Sequence, residues 1–142
     1  MIISVIVPCY NEINTVEIIV SKVQKALSKL DYEIIIIDDY SIDGTRELLK
    51  NKNNSKSNIK LIYSNQNKGK GFSLRSGFDK AIGDIICIQD ADLEYDPKDY
   101  KVLLNPIFEY GADVVYGSRF KGGDSIRLVY FVNALANKFL TF

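Results

Sequence analysis

An open α/β fold, with a mainly parallel β-sheet and helices on both of its faces, is predicted by two patterns that alternate along this 142-residue chain. Short runs rich in Ile and Val are continuously apolar, as expected of strands that are buried on both faces of a parallel sheet. The segments between these runs show helical periodicity. The length fits a single domain, residues 1–142, which can bury roughly 68–70% of its unfolded surface.

The predicted order of elements is βαβαβαβαβα. Strands are predicted at the apolar runs Ile2–Val7, Tyr32–Ile37, Ile59–Tyr63, Asp84–Ile88 and Asp113–Tyr116. A first helix of about 17 residues is predicted because apolar residues recur at spacings of three and four, which places them on one stripe; they are Ile13, Val16, Val20, Val23, Leu27 and Leu30. Further helices are predicted over Thr45–Lys50 and Lys70–Ile82, and Pro97 marks the start of a fourth.

The composition argues against several classes of function. The 18 basic and 18 acidic residues cancel, so nucleic-acid binding through bulk positive charge is not expected. The absence of histidine excludes Ser–His–Asp triads and His-bearing zinc sites. Cys9 and Cys87 form no CxxC motif, which favours a reducing, cytoplasmic compartment. Because no apolar run approaches the ~18 residues that span a bilayer, the chain is expected to be soluble or at most peripheral at a membrane.

Polar segments follow four of the five predicted strands, at the points where the strands end. They are Pro8–Glu12, Asp38–Thr45, Gln89–Pro97 and Gly117–Phe120. In open parallel sheets, ligands bind outside the carboxyl ends of the strands, where the strand order reverses. One site assembled along this edge of the sheet is therefore predicted.

The Asp90-Ala-Asp92 segment is the strongest local candidate for chemistry. A buried strand would deliver two hard oxygen donors to the sheet edge, which suits Mg²⁺ or Mn²⁺ bridging to a diphosphate. The small Ala91 would let a ligand come close. The alternative is that the two acids occur by chance in a loop and merely cap the helix that begins at Pro97.

Asp38 and Asp39 form a second acidic pair, at the end of a run of four isoleucines. Their mutual repulsion calls for a partner, and a donor-rich nucleobase or ribose is expected in that place. Asp43 is instead predicted to cap the following helix.

Basic residues near the same edge are candidates for phosphate binding. Arg119 follows the fifth predicted strand, and a guanidinium suits bidentate phosphate contacts. Lys68, Lys70 and Arg75 bracket the third helix and could face phosphates, although isolated basic residues are more often simply solvated.

Together these segments resemble the family 2 glycosyltransferases, and within them the dolichyl- and polyprenyl-phosphate sugar transferase branch. The resemblance covers essentially the whole chain, in order, and is carried by Val5–Glu12, Asp38–Thr45, Asn67–Gly71, Gln89–Pro97 and Val115–Phe120. It implies a GT-A fold, which is a Rossmann-like open sheet that binds a UDP- or GDP-sugar. It also implies inverting transfer to a polyprenyl phosphate, whose oxygen is already anionic, so that orientation matters more than a general base.

The resemblance assigns roles to individual residues. The nucleoside pocket would be lined by Pro8, Tyr10, Glu12, the backbone of Ile37 and the side chain of Asp39. The sugar diphosphate and its Mg²⁺ or Mn²⁺ ion would be held by Lys70, Asp90, Ala91, Asp92 and Arg119. Within this set Asp92 would ligate the metal with help from Asp90, and Arg119 would hold the diphosphate.

The match to the family changes near the end of the chain. Residues 1–120 are predicted to be the nucleotide-sugar-binding core, and residues 121–142 the start of an acceptor-side helix, so the chain is expected to be truncated relative to the family. An apolar stripe on that helix is expected to pack against the sheet or against a second subunit, or alternatively to lie in a membrane interface. Two alternatives for function remain open: a nucleotide-sugar-binding module without turnover of its own, and a transferase that acts on a glycan.

Overall fold

The computed structural model describes residues 1–52 and 58–117, and the chain divides into two compact units, the first over Met1–Lys101 and the second beginning at Val102. In chain order the elements are β1 (Ile2–Cys9), α1 (Val16–Ala26), β2 (Asp31–Asp38), α2 (Thr45–Lys52), β3 (Ile59–Tyr63), α3 (Lys70–Phe78), β4 (Ile85–Ile88), a short 3-10 helix (Pro97–Asp99) and α4 (Tyr100–Tyr110). The predicted alternation of strands and helices is confirmed through the fourth strand and the helix that follows it.

The four strands form one parallel sheet in the order β3-β2-β1-β4. Because β2 and β3 lie on one side of β1 and β4 lies on the other, the strand order reverses between β1 and β4. This reversal places the crevice that binds ligands in such sheets outside the carboxyl ends of β1 and β4. The predicted parallel sheet is confirmed.

The core lies on the two central strands. Their apolar side chains are fully buried, as predicted for strands covered on both faces; among them are Val5, Ile6, Val7, Ile34, Ile35 and Ile37. β4 behaves differently, because Ile86 and Ile88 are about half exposed. The prediction of burial on both faces is therefore wrong for β4, which lies at the edge of the described sheet and has one face open.

Helix α1 is shorter than its apolar stripe predicts. It runs from Val16 to Ala26, and its buried residues include Ile19 and Val23. Ile13 and Leu30, at the two ends of the predicted stripe, lie outside the helix and are exposed. Periodicity therefore identified the helix, whereas the loops on either side set its length.

Helix α3 ends at Phe78 rather than at the predicted Ile82, because the chain must turn sharply into β4. Gly83 makes that turn against β1. A Cβ atom at Gly83 would lie 2.6 Å from the backbone nitrogen of Ser4, so no other residue fits without a shift of the strand.

A buried carboxylate joins this turn to the amino ends of the strands. Glu33 accepts hydrogen bonds from the Ser4 hydroxyl at 2.6 Å and the Ile82 N–H at 2.8 Å, and it pairs with Lys60 at 2.7 Å. Burial alone would raise the pKa of Glu33, but the hydrogen bonds and charge of Lys60, with the bonds from Ser4 and Ile82, outweigh burial and lower it below its ordinary value. The amino edge of the sheet is thus held by a buried polar cluster that is separate from the carboxyl edge.

The predicted fifth strand is not formed. Residues 111–117, which include Asp113–Tyr116, contain no strand, and the side chains of Val114 and Tyr116 are 64% and 90% exposed. The β-propensity of such a short run reflects pairing and burial more than a preference of the backbone itself, so without both it does not form a strand. Among the described residues no helix combines the length and apolar character needed to cross a bilayer.

Candidate functional site

The carboxyl ends of three neighbouring strands meet at one edge of the sheet, as the sequence predicts. The ladder continues one step past the strand ends, since the Asp39 N–H donates to the Cys9 carbonyl at 2.8 Å and the Gln89 N–H donates to the Ile6 carbonyl at 2.9 Å. The segments that begin at Tyr10, Asp39 and Asp90 are therefore set side by side by the sheet itself.

Four hydrogen bonds tie the loop after β1 to the loop after β2. The Asn11 N–H donates to the Ser41 hydroxyl at 2.9 Å, and the Asn11 side chain accepts from the Ile42 N–H at 2.9 Å. The Glu12 N–H donates to the Thr45 hydroxyl oxygen at 2.9 Å. The fourth bond runs from the Ile13 N–H to Asp43. These bonds give the predicted nucleoside-binding loop a fixed shape.

Asp43 caps helix α2, as predicted. Its carboxylate accepts from the Thr45 N–H at 3.0 Å and from the Ile13 N–H at 3.1 Å. Burial by itself would raise the pKa of Asp43, but the bonds from Thr45 and Ile13 outweigh it and lower the pKa. Asp43 therefore has a structural role, because it joins the loop after β1 to the start of α2.

The aromatic rings nearest this edge are half exposed. Tyr10, predicted to line the nucleoside pocket, directly follows β1, and Tyr40 directly follows the acidic pair after β2. Asn11 and Tyr40 both have positive φ, at 57° and 66°, which are conformations that non-glycine residues seldom adopt. Such strained positions cluster at functional sites, and here they shape both loops at the edge.

Asp38 is fully buried and has a partner within the chain. It pairs with the Arg46 Nε at 2.5 Å and accepts from the Ser41 N–H at 3.2 Å. Arg46 also lies over the rings of Tyr40 and Tyr63, at 5.3 and 5.5 Å from their centroids. The partner of this acid is therefore Arg46, the second residue of α2, and not the ligand that was expected from the sequence.

Asp39 is also buried, and its carboxylate accepts hydrogen bonds from two backbone amides. These are the N–H groups of Lys68, at 3.0 Å, and Gly69, at 2.6 Å. Gly69 has a φ of 83° and immediately precedes α3. Asp39 thereby fixes where α3 begins, and its contact with a nucleoside stays a prediction.

Lys70 and Asp90, which the sequence analysis assigned to the diphosphate, form an ion pair. The Lys70 Nζ lies 2.6 Å from one carboxylate oxygen of Asp90 and 2.8 Å from the other. Because the Lys70 side chain is 57% exposed, the pair contributes little to stability, about 0–1 kcal/mol. An anion could therefore replace Asp90 as the partner of Lys70 at small cost.

Asp92 is the most accessible acid of the group. One of its oxygens accepts the Glu94 N–H at 3.0 Å, Ala91 beside it is buried, and Leu93 has a φ of 67°. No group of three or more acidic or cysteine side chains within residues 1–52 and 58–117 forms a ready metal cage. The donor set fits Mg²⁺ or Mn²⁺ of the kind held by one or two carboxylates together with substrate phosphates.

The remaining predicted site residues are placed as follows. Pro8 and Ile37 are neighbours in the pairing of β1 with β2, and Ile37 is fully buried, so its backbone is the part that can reach the edge. Arg119 and the helix predicted over residues 121–142 lie outside the described residues. Burial raises the pKa of Cys9 to about 12 and that of Cys87 to about 11, so both are protonated thiols near neutral pH.

An open parallel sheet with acids gathered outside the carboxyl ends of its strands, where the strand order reverses, is typical of α/β proteins that bind a ligand at this switch point. The model of the family "Glycosyl transferase family 2" matches residues 4–139, and the chain belongs to this family.

Three similar proteins extend this result. The chain is 36% identical over 138 residues to a dolichol-phosphate mannosyltransferase of Pyrococcus furiosus, covering 97% of this chain and 39% of that protein. It is 35% identical over 127 residues to an undecaprenyl-phosphate 4-deoxy-4-formamido-L-arabinose transferase of Yersinia enterocolitica, covering 87% and 38%. Among solved structures, the mannosyltransferase PcManGT of Pyrobaculum calidifontis, in complex with GDP-Man and Mn²⁺, superposes with a TM-score of 0.61 at 25% identity, covering 70% and 30%.

These likenesses confirm the predicted GT-A fold. The chain spans about two fifths of the length of the curated relatives it matches.

Proposed function

We propose that this chain binds a nucleotide sugar and contributes the donor site of an inverting glycosyltransferase, which passes the sugar from UDP or GDP to a polyprenyl phosphate. The observation that carries the proposal is the exposed Lys70–Asp90 ion pair beside Asp92, at the point where the strand order reverses. A lysine placed there can pair with the negative charge of a diphosphate, and two carboxylates can bind its metal ion. Residues 1–120 would form this donor site.

The nucleoside of the donor would lie against the loops after β1 and β2, which are joined by four hydrogen bonds. Pro8, Tyr10, Glu12, the backbone of Ile37 and Asp39 are the proposed nucleoside contacts. The exposed Tyr10 ring offers a surface for the base, while the hydrogen bonds between the two loops keep that surface in place without the ligand. A site formed in advance spares the ligand the cost of ordering the loops.

The diphosphate would lie between α3 and the Asp90–Asp92 loop, with Arg119 as a further proposed contact. Lys70 would turn from Asp90 to a phosphate oxygen, which leaves the Asp90 carboxylate free. Asp90 and Asp92 would then hold Mg²⁺ or Mn²⁺ together with the diphosphate, and the ion would supply neutralisation of the charge that develops on the departing nucleoside diphosphate.

The proposed acceptor is a polyprenyl phosphate at the membrane surface, where the chain would act as a peripheral protein. Support comes from the relatives, which are named as transferases of dolichol phosphate and undecaprenyl phosphate. A phosphate oxygen is already anionic near neutral pH, so the acceptor needs orientation rather than a base. That requirement agrees with a chain that contains no histidine.

The proposal is tested by thermal denaturation of the full 142-residue chain with GDP or UDP at millimolar concentration, with and without MnCl₂. Binding at ten times the dissociation constant adds about 1.4 kcal/mol of stability, which raises the Tm by several degrees. We expect one of the two nucleotides to raise the Tm, and Mn²⁺ to increase the shift.

Two variants sharpen the test. Asp92→Asn should keep the Tm of the free protein and lose the part of the shift that depends on Mn²⁺. Asp31→Asn makes the same change of charge at the amino edge of the sheet and should respond to ligand as the wild type does. No shift with either nucleotide, or equal effects of the two variants, would count against the donor site.

A further inference from the structure

Gln89 is a buried polar residue that the roles described above do not use. It follows β4 directly and precedes Asp90, and its side chain lies in the protein interior with 2% of the residue exposed. A buried amide destabilises a fold unless its hydrogen bonds are made. An apolar residue would fill this position at lower cost if packing were all that it required.

The side chain of Gln89 makes three hydrogen bonds. Its Nε2 donates to the carbonyl of Asp90 and to the carbonyl of Tyr95, both at 3.1 Å. Its Oε1 accepts from the Tyr100 hydroxyl at 2.9 Å. Both amide donors and one lone pair of the oxygen are thus engaged, so the orientation of the amide is determined.

These bonds close a loop that has no ladder or helix of its own. Residues 91–94 lie between the two carbonyls that Gln89 holds, and they contain Asp92 and the left-handed Leu93. The loop is therefore shaped by side-chain hydrogen bonds rather than by regular secondary structure: Gln89 holds its two ends, and the Asp92 carboxylate accepts the Glu94 N–H within it. Asp92 lies on that loop, and Asp90 directly precedes it.

Tyr100 anchors the arrangement from the other side. It is the first residue of α4 and is 5% exposed, and burial raises the pKa of its hydroxyl, with a further contribution from Cys87. The hydroxyl therefore stays protonated and donates to Gln89. The helix start and the strand end are joined through this one amide.

We propose that Gln89 is a positioning residue for the donor site: by holding the carbonyls on both sides of residues 91–94, it sets the placement of Asp90 and Asp92 toward a metal-bound nucleoside diphosphate. The ligand in this statement rests on the proposed function. That Gln89 holds the loop follows from its own hydrogen bonds and does not depend on the ligand. The two parts can therefore fail separately.

The first measurement is independent of any ligand. Gln89→Met keeps an unbranched side chain of similar length and removes all three hydrogen bonds. Backbone order parameters from NMR should fall from about 0.85, typical of rigid backbone, to below about 0.6 at residues 91–94, while those of β1 stay unchanged. Ser4→Ala is the matched control, because it removes a buried hydroxyl with two hydrogen bonds at the opposite edge of the sheet.

The second measurement is the affinity for GDP and UDP with and without MnCl₂. Gln89→Met should reduce the tightening due to Mn²⁺ at least tenfold and change the metal-free affinity less than threefold. Ser4→Ala should leave that tightening unchanged. Tyr100→Phe removes only the hydrogen bond from the Tyr100 hydroxyl to Gln89. It should lower the order parameters at residues 91–94 and the tightening due to Mn²⁺ by less than Gln89→Met does, which keeps the test available if Gln89→Met does not fold.

Three results would decide against all or part of the inference. Order parameters at residues 91–94 that respond equally to Gln89→Met and Ser4→Ala would overturn the holding of the loop. If Gln89→Met lowers the nucleotide affinity equally with and without Mn²⁺, Gln89 has a structural role and does not position the acids for the metal ion. If wild-type protein shows no tightening with Mn²⁺, the proposed function fails at the metal step, and the order parameters still decide whether Gln89 holds the loop.

Discussion

Removal of Arg46 should destabilise the protein more than any other single change at the carboxyl edge of the sheet. Its side chain is 16% exposed, and it faces Asp38, whose side chain is 1% exposed. It also donates to the Ser64 carbonyl at the end of β3. Loss of one partner of a buried ion pair costs about 3–5 kcal/mol, because the other charge is left without compensation. The Ser41 N–H still reaches Asp38, so we expect Arg46→Met to fall at the lower end, near 3 kcal/mol.

Urea denaturation of four proteins measures this coupling: wild type, Arg46→Met, Asp38→Asn and the double variant. With an m-value of about 2 kcal/mol/M, a loss of about 3 kcal/mol lowers the urea midpoint by about 1.5 M. The double variant should be more stable than the sum of the single losses predicts, by at least about 1.5 kcal/mol, since no unpaired charge remains. Arg46→Lys keeps the charge but cannot reach both partners, and it should lie between wild type and Arg46→Met.

The reasoning would be refuted by additive losses, or by a loss below 1 kcal/mol in Arg46→Met. Either result would mean that Asp38 does not depend on Arg46 for compensation of its charge. The acidic pair after β2 would then be open to a ligand in the way that the sequence analysis first expected.

Three further predictions follow from the same structure. Gly83→Ala should cost about 1–3 kcal/mol in urea denaturation, because its Cβ would overlap the backbone of β1, whereas Gly71→Ala, with open space around it in α3, should be neutral or stabilising. Because the pKa of Glu33 is lowered on folding, its contribution to stability is present above about pH 4.5 and is lost as the pH falls through the folded value; Glu33→Gln should flatten that part of the pH–stability curve. Lys70→Gln should weaken GDP or UDP binding roughly 10-fold to 100-fold in calorimetry, as expected for a lost hydrogen bond to a charged group, while the exposed Lys80→Gln should leave it unchanged.

The sheet was predictable from the sequence because its signal is local. Continuous apolar runs such as Ile34–Ile37 need both faces covered, and a parallel sheet with helices on both sides provides that environment. The same reasoning failed at Asp113–Tyr116, since a short β-prone run becomes a strand only when a neighbour pairs with it. The outer β4 shows the intermediate case, in which pairing is correct but one face stays exposed.

The frame of the site was less predictable than its location. Strand ends showed where the acids collect, but several partners of the polar residues there lie on other elements of the fold. Asp39 is held by amides 29 and 30 residues later, and Gln89 is held by a tyrosine in the next helix. No periodicity in one sequence encodes such pairs. A glutamine at the end of an apolar strand, next to two acids, is the one local signal that would have pointed to these contacts.

The acids of the two pairs at this edge, Asp38 with Asp39 and Asp90 with Asp92, differ in what already surrounds their charge. Asp38 and Asp39 are buried, and a guanidinium and backbone amides compensate them, so they hold the loops in place. Within residues 1–52 and 58–117, Asp90 pairs with the exposed Lys70, and Asp92 accepts the backbone N–H of Glu94. A metal ion needs carboxylate charge that the fold has not already compensated, which leaves Asp90 and Asp92 as the pair available to a metal-bound diphosphate, while Asp39 keeps acceptor capacity for the proposed hydrogen bond to the nucleoside. Substitution should therefore separate the groups cleanly: Asp38→Asn should lower stability, whereas Asp92→Asn should leave the fold intact and change only what the edge of the sheet binds.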